Sequence, residues 1–291
     1  TADDAMSSAI QIEPSFETVA VCGVGLIGGS IAAAVKERGV ARTVIGLGRN
    51  PARLKAAAAA GLIDRGETDP AGVAEADLIV VCTPVDRIAA DAVSLAAHAQ
   101  PGALLTDAGS VKGSICGAVT GKLPKGVEFV GSHPLAGSEK AGFEHADAGL
   151  FDGRVCIVTP ADANTGDGLL RVRSFWESLG MSVVEMSPSR HDEILALTSH
   201  LPHAVAAVLA SLLTEDAAEF AASGFRDTTR IAAGDPALWA AIFGANREPV
   251  LGQIDRYVQQ LGELREAIAA GDLERMTLLL REAQQLRTRL E

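Results

Sequence analysis

Apolar runs of strand length alternate with helix-length stretches through the first two-thirds of the chain. The strand-like runs are residues 18–22, 43–47, 77–82, 103–107, 128–131, 155–159 and 182–186. The stretches between them include residues 26–38, 52–60 and 169–179, each long enough to form a crossover helix. This alternation predicts an α/β fold with a mostly parallel sheet and helices on both faces.

Strand-like runs end near residue 186, and the remaining hundred or so residues show helical periodicity. There, Asn246 can cap a helix over 247–270, Gly271 can close it, and Asp272 can cap a last helix. The predicted domains are a dinucleotide-binding domain over 15–187 and an all-helical substrate and dimerisation domain over 188–291, after a disordered lead-in at 1–14. The last helices can bury their apolar stripes against a partner subunit or against their own chain, and periodicity favours neither.

A glycine turn follows the first strand-like run and opens directly into the first helical stretch. Gly23 can make the tight turn, Gly25 can let a pyrophosphate approach the backbone, and the amides of the next helical turn can receive its charge. Strand, glycine turn and helix in this order predict a Rossmann-type dinucleotide site. The residues expected to form it are Gly23, Gly25, Leu26, Ile27 and Gly28.

The second strand-like run ends in Gly48 and Arg49, where NAD-binding proteins carry an acid for the ribose hydroxyl. Arg49 can pair with a 2′-phosphate, so NADP is the expected cofactor, and use of both NADP and NAD is the alternative. The third run ends at the same crevice, where we expect Thr83, Pro84 and Val85 to line the cofactor.

Reactive polar residues follow two further strand-like runs. Ser110 comes after residues 103–107 and His133 after residues 128–131, so both should lie at the carboxyl edge of the sheet beside the nicotinamide. A neutral imidazole is a suitable acceptor for the proton of a carbinol that loses hydride. The helical part adds a histidine–aspartate pair at 191–192, for which the sequence suggests no role.

The formal net charge of −12, without a run of Lys or Arg, argues against a nucleic-acid partner. No uncharged apolar stretch approaches the roughly 18 residues that span a bilayer, and the first fourteen residues are not typical of a signal peptide. The four cysteines have no CxxC spacing, which fits reduced thiols in the cytoplasm. His200 and His203 have no third ligand at suitable spacing, so no metal is expected.

The motifs GVGLIGGS, DAGSVKG, GSHPLAGSEKAG, SHLPH and FRDTTRIA occur in this order. With them the sequence, from about residue 18 to residue 247, resembles the prephenate and arogenate dehydrogenases, including the cyclohexadienyl dehydrogenases that accept both substrates. The resemblance implies an NAD(P)-dependent oxidative decarboxylation in tyrosine biosynthesis, in which a ring loses hydride and carbon dioxide and becomes aromatic. No residue decides between prephenate and arogenate.

The resemblance also implies roles for particular residues. His133 is the expected proton acceptor, Ser110 its hydrogen-bond partner beside the nicotinamide, and Arg230 the guanidinium that pairs with a substrate carboxylate. The other residues that the resemblance places at the substrate are His203 at its side chain, Ser199 near cofactor and substrate, Glu139 and Asp227 in an ionic gate with Arg230, and Trp239 as a pocket-lining aromatic.

Other functions remain open on the sequence alone. Another dehydrogenase or reductase with a Rossmann head and helical tail, such as a β-hydroxyacid dehydrogenase, would lack the paired Ser110 and His133. A dinucleotide-binding regulator without turnover would have no use for His133. The resemblance further implies a homodimer through the helical domain. Because helices run to the end of this sequence, any inhibition by tyrosine is expected at the active site.

Overall fold

The computed structural model of the chain describes residues 14–137, 140–161 and 166–290. The strands are β1 (Phe16–Cys22), β2 (Ala41–Leu47), β3 (Arg65–Glu67), β4 (Leu78–Val81), β5 (Leu104–Asp107), β6 (Glu128–Pro134), β7 (Val155–Thr159) and β8 (Ser182–Glu185). The α-helices are α1 (Leu26–Glu37), α2 (Pro51–Ala59), α3 (Ile88–Ala96), α4 (Gly113–Val119), α5 (Gly166–Ser178), α6 (Pro188–Leu195), α7 (Leu201–Ser211), α8 (Glu215–Ala218), α9 (Ser223–Thr229), α10 (Pro236–Ala245), α11 (Arg247–Ala270) and α12 (Leu273–Thr288).

The strands form one sheet in the order β3-β2-β1-β4-β5-β6-β7-β8. Every neighbouring pair is parallel except β6 and β7, which run antiparallel. The order reverses between β1 and β4, and crevices at such reversals bind ligands at the carboxyl ends of the strands. The predicted α/β class and mostly parallel sheet are confirmed.

Two elements differ from the sequence prediction. The strand β3 was missed, because its three residues include two charged side chains and carry no apolar pattern. The predicted strand over 128–131 was too short, since antiparallel pairing with β7 continues β6 to Pro134. His133 therefore belongs to the strand itself and pairs with Ile157 across β7.

Helices cover both faces of the sheet, and each face has its own hydrophobic core. On one face α1 and α5 contribute Ile31, Val35, Phe175 and Trp176, all at most 1% exposed. On the other, α3 and α4 are joined by α10, which contributes Ile242. Strand residues of β4 and β5 are buried on both sides, as in parallel sheets whose two faces are covered.

The chain divides into two compact units. The first contains the residues up to Asp192 together with Ala233–Asn246, and the second contains Glu193–Ala232 and Arg247–Glu291. The segment carrying α10 thus belongs to the same unit as the sheet. Hydrophobic periodicity does not reveal that the chain returns to this unit. The domain ranges 15–187 and 188–291 stay a prediction. Residues 1–13 of the predicted lead-in lie outside the described part of the chain.

The second unit is helical. Within it α11 packs against α7, and α12 against α11. Asp272 caps α12 by accepting a hydrogen bond from the amide of Arg275 at 2.9 Å, as the sequence predicts. Asn246, the predicted cap of α11, belongs to the first unit, where its Nδ2 donates to the carbonyl oxygen of Asp192 at 2.9 Å.

Residues Pro188–Ser211 form one continuous helical run of 24 residues, whose most apolar window has a mean hydropathy of 1.5. By length and composition this run could cross a membrane. Core helices of globular proteins meet the same criterion. One third of that window is buried inside the protein, and the buried residues of the whole run include His191, His200 and His203. A helix that directs histidines into the protein has the character of a core helix.

Candidate active site

A cavity of about 620 Å³ lies at the carboxyl ends of β1, β2 and β4. The turn between β1 and α1 forms one wall. Gly23 has a φ of 96°, and a Cβ there would stand 2.7 Å from the carbonyl oxygen of Cys82. Only glycine adopts this conformation readily at such close approach to a neighbouring strand.

The same turn fits an anionic ligand. Gly25 is the N-cap of α1 and supplies no side-chain cap, so amides of the first helical turn are left without an intrahelical acceptor. A Cβ placed on Gly25 would meet no atom within 4 Å, which means that the space in front of this backbone is open to the cavity. Open space, helix amides and a glycine backbone suit the pyrophosphate of a dinucleotide.

The end of β2 forms the opposite wall, with Gly48, Arg49 and Asn50. Arg49 is exposed and makes no ion pair with a residue in the described ranges. Asn50 is committed to capping α2, because its Oδ1 accepts from the amides of Ala52 and Arg53 at 3.0 and 3.2 Å. Arg49 therefore supplies a positive charge at the rim where NAD-binding proteins place an acid.

The cavity does not touch every residue that the sequence assigned to the cofactor. Those that line it are Gly23, Gly25, Gly48, Arg49, Thr83 and Pro84. Leu26, Ile27 and Gly28 form the first turn of α1, Val85 is buried in the core of the α3 face, and Ser110 follows β5.

The sequence did not assign several other residues of the cavity wall, among them Arg53, Thr68 and Arg87. Arg53 lies in the first turn of α2, pairs with Glu144 at 3.2 Å and stands over the ring of Phe143. Arg87 is paired with Asp91 at 3.0 Å. These two guanidiniums already have carboxylate partners, unlike Arg49. No local motif distinguishes them from surface arginines.

His133 lies beside the carboxyl end of β5 and is half-buried at the end of β6. Its Nδ1 is 2.8 Å from Nε2 of His191, and the two rings meet edge to face. Nδ1 of His191 is in turn 2.7 Å from Oδ1 of Asp192. Three side chains separated by up to 59 positions in sequence thus form one hydrogen-bonded row. No role was predicted for His191 and Asp192, because no local sequence signal connects α6 with β6.

Asp192 is held by the loop before α4. Its Oδ1 accepts from the amide of Lys112 and its Oδ2 from the amide of Gly113, both at 2.8 Å. The position of the row follows from the start of α6, where Ser187 accepts from the amide of Arg190 and Pro188 occupies the first helical position.

A buried ion pair between β5 and the loop before α4 lies beside this row and holds β6 through hydrogen bonds to Ser132. Nζ of Lys112 contacts Oδ2 of Asp107, and neither side chain is exposed. Nζ also donates to the carbonyl oxygen of Ser132 at 2.7 Å, and Asp107 accepts from the amides of Ser132 and Gly109. Burial of two charges is costly unless their remaining donors and acceptors are satisfied, as they are here. The pair fixes the strand end that carries His133.

Ser110 is half-buried three residues beyond β5, and its hydrogen bond to His133 stays a prediction. Trp239 is half-buried on α10, where it packs against the hydrophobic core, and its ring lies 5.7 Å from that of Phe243, measured between centroids.

The remaining predicted substrate residues lie in the second unit. Ser199 belongs to a turn of π-helix, Ala196–His200, and such turns are frequent at functional sites. His203 is buried in α7, and burial lowers its pKa. Asp227 and Arg230 are exposed, and neither makes an ion pair within the described ranges. Glu139 lies outside the described residues, so the predicted ionic gate stays a prediction.

The thiols beside the cavity are unreactive. Burial raises the pKa of Cys22 to about 12 and that of Cys82 well above its ordinary value. A thiolate nucleophile is therefore unavailable at either position. Among the residues that the structure describes, no three His, Cys, Asp or Glu side chains are grouped as a metal site requires.

Two family models match the chain. The model of the prephenate dehydrogenase nucleotide-binding domain matches residues 31–185, and that of the prephenate dehydrogenase dimerization domain matches residues 187–282. Among curated proteins, the cyclohexadienyl dehydrogenase of Zymomonas mobilis is 34% identical over 284 residues, which are 95% of this chain and 97% of that protein.

Solved structures agree with these matches. Prephenate dehydrogenase from Aquifex aeolicus, in complex with hydroxyphenyl propionate and NAD+, superposes with a TM-score of 0.89 at 34% identity, covering 94% of this chain and 98% of that one. Synechocystis arogenate dehydrogenase gives a TM-score of 0.83 at 31% identity, covering 94% and 100%. The chain therefore belongs to the prephenate dehydrogenase family, a family of oxidoreductases.

Proposed function

We propose that the protein catalyses the NAD(P)-dependent oxidative decarboxylation of prephenate, of arogenate, or of both. The observation that carries the proposal is a half-buried imidazole, His133, at the carboxyl edge of the same sheet that holds the dinucleotide cavity. Relatives named for both substrates, among them the cyclohexadienyl and arogenate dehydrogenases above, support the substrate class.

In this reaction His133 accepts the proton of the ring hydroxyl while hydride leaves the carbon that bears it. A bound oxidised nicotinamide would supply the acceptor for that hydride. The electrons of the bond to the quaternary carboxylate then move into the ring, carbon dioxide leaves, and the ring becomes aromatic. The proton held on His133 can return to the phenolate oxygen, so the charge balance closes without a further reactant.

We also propose substrate contacts for residues of the helical unit. Arg230 is exposed and without an ion pair among the described residues, so its planar guanidinium is available for a substrate carboxylate. We assign His203 and Ser199 to the substrate's side chain, and Asp227 with Glu139 to the gate around Arg230. We assign Ser110 to a hydrogen bond with the imidazole of His133, and Trp239 to the wall of the substrate pocket.

For the cofactor we propose a preference for NADP over NAD. Arg49 stands at the rim of the cavity and can pair with a 2′-phosphate, and the acid that would repel that phosphate is absent from the end of β2. The variant Arg49→Ser should raise KM for NADP about tenfold or more, roughly the strength of one charge-assisted hydrogen bond, and leave KM for NAD nearly unchanged. Arg42→Ser, on the opposite end of β2, serves as the matched control. Equal changes with both cofactors would refute the preference.

We further propose a homodimer formed through the helical unit. The family model over residues 187–282 is that of a dimerization domain. Large apolar side chains are exposed along α11 and α12, among them Val258, Leu261, Ile268 and Leu280, each at least 51% exposed. Light scattering after size exclusion should give twice the mass of the chain. A monomer at micromolar concentration would contradict the dimer.

The activity itself is tested by following the absorbance of the reduced nicotinamide with purified protein, NADP+ or NAD+, and either prephenate or arogenate. Reduction of the cofactor with at least one substrate is expected, with loss of carbon dioxide. Failure with both substrates and both cofactors would refute the proposed reaction. Inhibition by tyrosine, which we place at this site, should be competitive with the substrate.

A further inference from the structure

The proton positions in the row of His133, His191 and Asp192 follow from Asp192, at the end of the row opposite His133. Asp192 accepts N–H hydrogen bonds on both oxygens, from Lys112 and Gly113, besides the contact with His191. A carboxyl group in this setting acts only as an acceptor, because a proton on either oxygen would face a donor. Nδ1 of His191 therefore carries a hydrogen and donates it to Asp192.

The charge state of His191 determines which ring nitrogen of His133 carries a hydrogen. Its side chain is completely buried, and this burial lowers its pKa, against the opposing effect of the Asp192 carboxylate. Lys112 nearby acts in the same direction as burial, and Asp107 against it. A neutral ring with hydrogen on Nδ1 has a bare Nε2. This atom can only accept, so the hydrogen bond of 2.8 Å to His133 is donated by Nδ1 of His133.

We propose that His191 and Asp192 are positioning residues that hold His133 as the Nδ1–H tautomer, in which Nε2 carries a lone pair that accepts the proton of the substrate hydroxyl. Free imidazole side chains prefer the opposite tautomer, in which Nε2 carries the hydrogen and is no base. The fold supplies the acceptor that reverses this preference. The same logic governs the aspartate that orients the histidine of serine hydrolases.

The row also limits how His133 can move. His191 is wedged behind it, and Asp192 is anchored through its side chain to the loop before α4 and through its carbonyl oxygen to Nδ2 of Asn246. His133 is half-buried while the two residues behind it are buried, so the ring is fixed from its inner side. The expected effect of His191 on turnover rests on the function proposed above. The predicted tautomer of His133 does not depend on that function.

Two substitutions of His191 separate positioning from mere packing. Asparagine reaches about as far as Nδ1 of histidine, so His191→Asn can still donate to Asp192 but no longer reaches His133. Glutamine reaches about as far as Nε2, so His191→Gln can still offer an oxygen to His133. His98→Asn, at an exposed histidine, is the matched control.

If His191 positions His133, His191→Asn should lower kcat about 10- to 100-fold, a part of the contribution of a general base, with KM for the cofactor unchanged. His191→Gln should recover much of that loss, and His98→Asn should match the unsubstituted protein. A role in packing alone predicts that Asn, which keeps the bond to Asp192, is the milder change. Equal activity of His191→Asn and the unsubstituted protein would overturn the proposal.

The tautomer is measured directly by ring ¹⁵N resonances of the histidines in the full-length protein without substrate, assigned with His133→Asn. We expect His133 to be neutral with hydrogen on Nδ1, and to shift toward the Nε2–H form in His191→Asn. Hydrogen on Nε2 of His133 in the unsubstituted protein would refute the inference. This experiment is independent of turnover, so an enzyme inactive on prephenate and arogenate would overturn the proposed reaction while the resonances still decide the role of His191.

Discussion

At the carboxyl edge of the sheet, the cavity beside β1, β2 and β4 is formed mainly by backbone and glycine, whereas the cluster beside β5 and β6 is formed by buried polar side chains. In the first region Gly23 and Gly25 leave room and expose amides. In the second, the Lys112–Asp107 ion pair and the row ending in His133 satisfy one another's donors and acceptors.

This difference follows from what each region has to do. A pyrophosphate is bound wherever helix amides and open space coincide, and a short glycine motif provides both. A proton acceptor needs a defined tautomer and direction, which require several side chains held in place. Substitutions should therefore separate the two regions, with changes of chemistry on one side and changes of cofactor binding on the other.

The largest effect is expected from His133→Asn. Loss of the proton acceptor should lower kcat about 10²- to 10⁴-fold, the usual contribution of a general base. Cofactor affinity, measured by fluorescence titration with the reduced dinucleotide, should stay the same because the cavity lies beside other strands. A variant with full activity would remove this imidazole from the mechanism, and a large loss of cofactor affinity would show that the two regions are not independent.

The glycine turn of the first region was predictable from the sequence because its signals are local. Gly23, Gly25 and the charge at Arg49 are read within a strand, a turn and a helix. The second region was only partly predictable. His133 stands in a recognisable motif, but its partner His191 lies 58 positions away, and Lys112 looks like an ordinary loop lysine. Pairing of β6 with β7 and the return of α10 to the sheet are likewise long-range packing events without a periodic signal.

Lys112→Met tests how far the second region depends on its buried charges. Removal of the ammonium leaves Asp107 buried without its counter-ion, which should cost about 3–5 kcal/mol in free energy of unfolding. The control is Lys36→Met, which breaks the partly exposed pair with Asp64 and should cost no more than about 1 kcal/mol. Urea denaturation measures both. Similar losses in the two variants would mean that the buried Lys112 pair contributes no more to the free energy of unfolding than the partly exposed one.

Gly23→Ala probes the first region. A side chain at φ 96° and 2.7 Å from the carbonyl oxygen of Cys82 requires the turn or the end of β4 to move. The expected cost is about 1–3 kcal/mol of strain, together with a higher KM for the dinucleotide. Gly39→Ala is the control, since Gly39 also has a positive φ, of 65°, but a Cβ there meets no atom within 4 Å. An unchanged KM in Gly23→Ala would argue against this turn as the cofactor site.

The smallest effect should be a dependence of stability on pH that originates in the second region. Burial lowers the pKa of His191 below its ordinary 6.5, whereas in the unfolded chain the ring titrates near that value. As the pH falls through 6.5 toward the folded-state pKa, the unfolded chain binds the proton first, and the free energy of unfolding decreases by at most about 1.4 kcal/mol per pH unit. Above pH 6.5 both states are neutral and this contribution to stability is complete.

His203, whose pKa burial also lowers, gives a slope of the same sign. His191→Gln should therefore flatten the slope without abolishing it, as measured by urea denaturation between pH 5 and 7. An identical slope in this variant and in the unsubstituted protein would mean that His191 is protonated as readily in the folded chain as in the unfolded one, and that the bare Nε2 on which the orientation of His133 depends is not present.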